Sequence, residues 1–201
     1  MQVFVQPRAL VVMDWGWNSL GVEQNDVRDP LLYSIDQEGK LDRFPFTIPG
    51  AGFIRVYSIA AGPEGSLAVS GSAYDADGRA GTFVARIAPD RKSQTVTRTW
   101  PYVPDVITLA PDGTVWAAGW VLQEETNEPT LFNVIKHFDS SGKVLGTLVL
   151  PARGIPSYRR NGVSYSRLKA SRDRLAGSLG AWSTLKSHLT PVNWADLRAR
   201  R

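Results

Sequence analysis

Apolar and polar positions along this chain alternate in short runs closed by turn residues. The clearest run is Val106 to Trp120, Val-Ile-Thr-Leu-Ala-Pro-Asp-Gly-Thr-Val-Trp-Ala-Ala-Gly-Trp. Val106 to Leu109 is apolar and partly β-branched, which predicts a strand. Pro111 presets φ for a tight turn, and Gly113 supplies the positive φ that the turn needs. Thr114 to Ala118 then runs back as the partner strand, and both strands are apolar enough to be covered on two faces.

The same unit recurs. Val3 to Val5 pairs with Leu10 to Asp14 around residues 6–9, and Ile54 to Ala60 with Ser66 to Ser70 around residues 62–65. A weaker copy is Tyr165 to Ala170 with Leu175 to Leu179 around residues 171–173. A glycine follows each pair: Gly16, Gly71, Gly119 and Gly180. A second kind of hairpin lies between these, entered at Leu31, Phe83 and Val134 and turning at Asp36, Asp90 and Asp139. Its first strands alternate apolar with polar, as half-covered outer strands do. Those turns are 54 and 49 residues apart, and Pro63 and Pro111 are separated by 48.

Two hairpins in a period of about 50 residues is the layout of a propeller blade. The expected fold is therefore all-β, with β-propeller-like repeats of four-stranded antiparallel blades. The blades fall at about 3–50, 54–104, 105–156 and 157–182. Residues 183–201 form a basic tail in which Asn193 is placed to cap a short helix. A β-sandwich would not repeat its turn chemistry at one long period, and no 3.6-residue period supports a helical solenoid before residue 165. Polar connections at 18–30, 73–81 and 122–129 are expected to project from one end, where function is usually placed.

Leu109-Ala-Pro-Asp-Gly-Thr-Val-Trp-Ala-Ala-Gly, followed by Val134-Ile-Lys-His-Phe-Asp-Ser-Ser-Gly-Lys-Val-Leu, resembles a blade of the NHL-type and six-bladed propeller group. In that group an Asp-Gly hairpin precedes a Phe-Asp-x-x-Gly-Lys hairpin. The likeness covers residues 3 to 155 as three blades, although the link from Trp120 to Pro129 is longer than the group's. Neither a Trp-Asp ending nor a double glycine of the kelch kind is present. For activity, the resemblance admits the metal-dependent lactonase or lyase chemistry of six-bladed propellers. The acidic and Asn ligands of that chemistry converge on the central channel, and none maps onto a residue of this chain. Three blades and part of a fourth fall short of the four to eight that close a ring. The expectation is a fragment of a larger propeller, with self-association through open blade faces or a four-bladed closure as the other ways to cover them.

Composition narrows this further. Without cysteine there is no disulfide framework, thiolate site or thiol nucleophile. The net charge of +4 divides into +9 over residues 153–201 and −5 over residues 1–152. The arginines of the tail are scattered and lack interleaved aromatics, which argues against nucleic acid and for a solvated stretch. No signal peptide is visible and no 18-residue apolar run predicts a membrane span, so the compartment stays open.

Seven tryptophans are the other notable feature. Trp100 and Trp116 are expected between blades, where large side chains pack. Trp17, Tyr74 and Trp120, beside the connections, are the candidate ligand-binding residues. Residues 74–81, Tyr-Asp-Ala-Asp-Gly-Arg-Ala-Gly, place Gly78 too early for a calcium loop and lack its closing Glu, so they read as a hairpin turn. His137 and His188 are the only histidines, and neither follows a Gly-x-Ser-x-Gly elbow. The alternation is taken to point His137 away from Ile135, into a solvated or strand-pairing role. Asp36, Asp90, Asp112 and Asp139 are explained by their turns. No catalytic residue, metal ligand or cofactor site emerges. The sequence reads as a non-catalytic binding or scaffold module for a protein, peptide or carbohydrate. A metal-dependent lactonase or lyase-like enzyme and a basic surface binder acting through the C-terminal stretch are the alternatives.

Overall fold

The computed structural model describes residues 2–5, 9–14, 31–36, 38–62, 64–127, 129–149, 163–170 and 175–181. Trp17, His188, the connection at 18–30 and the basic tail with its expected helix at Asn193 lie outside the described residues. Among the described residues there are fourteen strands and no helix, so no helix is long and apolar enough to cross a membrane.

Strands follow one another as antiparallel neighbours. The first sheet takes β1 (Gln2–Val5), β2 (Ala9–Asp14), β3 (Leu31–Asp36) and β4 (Leu41–Pro45) in chain order. The second takes β5 (Phe53–Ala61), β6 (Leu67–Tyr74), β7 (Ala80–Ile87) and β8 (Gln94–Arg98). The third takes β9 (Tyr102–Leu109), β10 (Val115–Leu122), β11 (Pro129–Phe138) and β12 (Val144–Val149). A two-stranded sheet of β13 (Val163–Ala170) and β14 (Leu175–Ala181) comes last. The fold is thus all-β, with β-propeller-like blades of four antiparallel strands.

The blades pack face to face, and the pleat decides which side chains meet. Successive residues of a strand point to opposite faces. Leu67 and Val69 of β6 enter one core with Ile54, Val56, Phe83 and Ile87, and there meet Leu32, Phe44 and Phe46 of the first blade. Ala68 between them faces the other way, into a second core with Ala60, Val84, Tyr102, Ile107, Leu109, Val115 and Phe138. Each large side chain removed from water in these layers contributes about 1.5–3 kcal/mol. Small residues on one side of the second interface let the third blade come close: β9 lies against β5 and β6, as β13 lies against β9 and β10. Two hydrogen bonds to backbone join these blades: Ile107 N–H donates to the Ser58 hydroxyl at 3.2 Å, and the Thr82 hydroxyl donates to the Tyr102 carbonyl at 2.8 Å.

The hairpin turns share a single construction. At Gly62, Asp75, Ala110 and Asp139 the amide donates to the carbonyl four residues on, and its own carbonyl accepts from the amide three residues on. The third residue after each start is a glycine with φ of 77–88°, which is the conformation foreseen for Gly113. Aspartates cap three of these turns and the different turn at 88–93, where Ala88 N–H donates to the Ser93 carbonyl. Asp139 accepts from the amides of Ser141 and Lys143, Asp112 from that of Thr114, and Asp90 from those of Lys92 and Ser93. Residues 75–79 are one of these turns, with Asp75 accepting from the amides of Asp77 and Arg79.

Candidate functional site

A second repeated device lies midway along the strands, before their ends away from the turns at 62–65 and 110–113. In the pairing of β5 with β6, Val56 faces Gly71 and Ser58 faces Ser70, which leaves Tyr57 as an extra residue. In the pairing of β9 with β10, Pro104 faces Gly119 and Val106 faces Ala118, which leaves Asp105 extra. Tyr57 and Asp105 are therefore bulge residues at one position of two successive blades. The glycines opposite make these bulges possible. A Cβ on Gly71 would fall on the Arg55 carbonyl oxygen, and one on Gly119 on that of Val103. In the last pair the bulge is at Ser166, and the position opposite belongs to Leu179, with Gly180 one residue beyond. Counted from the turn, the first blade has Asp14 at this place. The fixed glycine of the sequence pattern thus holds for Gly71 and Gly119 and not for Gly180, while Gly16 lies outside the described residues.

Around Tyr57 the second blade gathers side chains on its face toward the third. Ile54 and Val56 are committed to the core on the other side, so Phe53 and Arg55 project to this one. Phe53 pairs with Tyr74 across the two strands, with ring centroids 5.8 Å apart and tilted by 43°. Arg55 stands over the Tyr57 ring at 5.9 Å, and the Tyr57 hydroxyl donates to the buried Ser72 hydroxyl at 3.0 Å. Phe53 is 43% exposed, unusual for a phenylalanine with a ring partner beside it. Apart from that ring, the guanidinium of Arg55 has no ionic or hydrogen-bonding partner among the described residues.

The third blade contributes Asp105. Its carboxyl is half-buried, no donor among the described residues bonds it, and burial raises its pKa above the ordinary carboxylate value. Partial desolvation of a carboxylate with no donor carries a free-energy cost that the fold tolerates.

Of the sequence-predicted site residues, Tyr74 belongs to this cluster. Trp120 is half-buried on β10, two and four residues from Ala118 and Trp116, and shares their face, away from the core that holds Val115 and Ala117. Trp17 lies outside the described residues. Phe53, Arg55, Tyr57 and Asp105 were missed. The signal that finds the last two is their spacing of 48, the same as that between Gly71 and Gly119 and between Pro63 and Pro111.

His137 also departs from expectation. Residues two apart on a strand share a face, so His137 lies on the side of Ile135, and its ring stacks on Trp116 with centroids 3.8 Å apart and planes at 10°. Its Nε2 is buried without a hydrogen-bond partner among the described residues. Desolvation lowers the pKa of His137, outweighing the opposite pull of Asp112 and Asp139. Trp116 is half-buried in that stack. Among the described residues, no three His, Asp or Glu side chains converge as a metal site would require.

No family model matches the chain, and no curated protein does. Among solved structures it is similar to a Synechocystis ACO mutant, at 12% identity and a TM-score of 0.46, over 98% of this chain and 48% of that one. An ACO/RPE65 chimera gives 13% and 0.44, with 98% and 48% covered. A gluconolactonase from Xanthomonas campestris gives 15% and 0.48, with 89% and 53% covered. The chain spans about half the length of these structures.

Proposed function

We propose that this chain is a run of blades from a larger propeller of the NHL-type and six-bladed group, serving as a non-catalytic binding module. Its ligand, a protein, peptide or carbohydrate, is held at the bulge end of the blades. The observation that carries this reading is the combination of uncommitted groups there. Among the described residues Arg55 is exposed and bonded to no carboxylate, Asp105 is partly desolvated and bonded to no donor, and Phe53 keeps much of its ring in water. Asp112 and Asp139 at the other end, like Asp75 at this one, are spent on backbone amides of their own turns, whereas Arg55 and Asp105 are not. Propellers place function on loops at one end, and the bulges re-aim side chains toward that end.

The metal-dependent lactonase or lyase-like reading has Asp105 in its favour, as a carboxyl on the first strand of a blade. It lacks converging partners among the described residues. A basic surface acting through the tail falls outside them.

Glycan and peptide arrays probed with the full chain test the proposal. Tyr74→Ala and Asp105→Asn should weaken retention of whatever the wild type holds, and Lys92→Ala, at a turn, should leave it unchanged. Retention lost on Lys92→Ala and untouched by the other two would overturn the bulge end as the binding site.

A further inference from the structure

The bulge-end cluster also indicates what sort of ligand it takes. We propose that Arg55, with Phe53 and Tyr74, forms a receptor for a carboxylate carried on a ring. This rests on the binding-module reading and narrows it.

Three features of the cluster point the same way. Arg55 is held at its root by the strand and at its head by the Tyr57 ring, 5.9 Å from the guanidinium carbon. The ring attracts the guanidinium as a cation, and the N–H fork, with no other partner among the described residues, can meet a planar carboxylate in two parallel bonds. Tyr57 is itself fixed, because its hydroxyl donates to Ser72, a residue buried within the blade. The arginine is thus pre-organised, and less side-chain freedom is lost on binding.

Phe53 and Arg55 are alternate residues of one strand and share a face, so the exposed phenyl ring and the arginine project from the same side of the sheet. The tilted contact with Tyr74 braces that ring from the neighbouring strand. Together they offer an apolar platform on the same side as a carboxylate fork. A ring acid suits this cluster: its carboxylate meets Arg55 and its apolar face meets the exposed ring of Phe53.

A ring carboxylate can come from a uronic acid or from an aromatic acid, and the two are separated by the probes. Saturation-transfer NMR on the full chain would use sodium glucuronate, sodium benzoate and uncharged glucose, with dissociation constants from competition. At least one acid is expected to bind about tenfold or more tightly than glucose, and Arg55→Gln to remove that margin. Glucuronate ahead of benzoate identifies the uronate source, and the reverse order the aromatic one. Arg55→Lys, which keeps the charge and loses the fork, should weaken the acid by several-fold; an unchanged constant there contradicts the two-bond geometry.

Neither acid exceeding glucose would overturn the inference, as would Arg55→Gln binding like the wild type with an unaltered β circular-dichroism signal. The arrays keep the two proposals apart. Neutral ligands retained at the bulge end without acid binding overturn the carboxylate receptor alone. Retention of nothing at that end overturns the binding module as well.

Discussion

Tyr57 and Asp105 are one residue of the blade in two chemical forms, each the extra member of a bulge and each set against a glycine. The backbone device is repeated and the side chain is not, which separates what the fold requires from what varies on it.

The glycines give the first expectation. Gly71→Ala and Gly119→Ala drive a Cβ into a carbonyl oxygen of the paired strand, so the bulge must open or the strand must shift. Each should cost about 3 kcal/mol or more, read from urea midpoints. Gly146→Ala is the control: a Cβ there meets nothing within 4 Å, and the change should be neutral or stabilising by up to about 1 kcal/mol. Equal midpoints for all three would mean that the close approach is absent.

Ser58 tests the packing of one blade on the next. Its hydroxyl accepts the Ile107 amide in the buried interface, and Ser58→Ala leaves that amide without a partner. The expected loss is about 1–3 kcal/mol. No loss would mean that the second and third blades do not meet in this register.

Asp105 should carry a stability cost with a pH signature. Its folded pKa is raised, so the unfolded chain releases this proton more readily, and stability declines as pH rises from about 4 through the folded value. Asp105→Asn is therefore expected to raise the melting temperature at pH 7 and to lose that advantage near pH 4. A variant less stable than wild type at pH 7 would show that the carboxylate is paired after all.

His137 has the opposite signature. Its folded pKa is depressed, so the unfolded chain binds the proton first, and stability falls as pH drops below about 6.5. Asp112 and Asp139 have lowered values and lose their contribution only at more acid pH, below about 4. Melting temperatures taken between pH 7.5 and 5.5 should fall for the wild type. They should stay flatter for His137→Phe, which can keep a ring against Trp116. Parallel curves would remove His137 as the cause.

The architecture was legible in the sequence because turns and alternation are local. Pro111, Asp112 and Gly113 marked a turn that the structure builds as expected, and the weak pair after Tyr165 is present as β13 and β14. Strand lengths were less legible. The strand expected from Val106 begins at Tyr102, since Pro104 and Asp105 look like chain breakers and are in fact accommodated by the bulge opposite Gly119. Ala73 was assigned to a connection, but β6 runs on to Tyr74 and the turn itself is only residues 75–79. The candidate site was harder still. Arg55 is one charge in an apolar strand, and nothing local reveals that it stands over Tyr57, because the bulge that brings them together depends on a glycine sixteen residues away.

The most direct test of the bulge end as the ligand end is amide hydrogen exchange on the full chain, with and without the strongest array ligand at saturation. Slowed exchange is expected in residues 53–57, 72–79 and 102–105, with the turns at 62–66, 110–114 and 139–143 unchanged. Protection concentrated at those turns, with 53–57 and 102–105 exchanging as before, would contradict it.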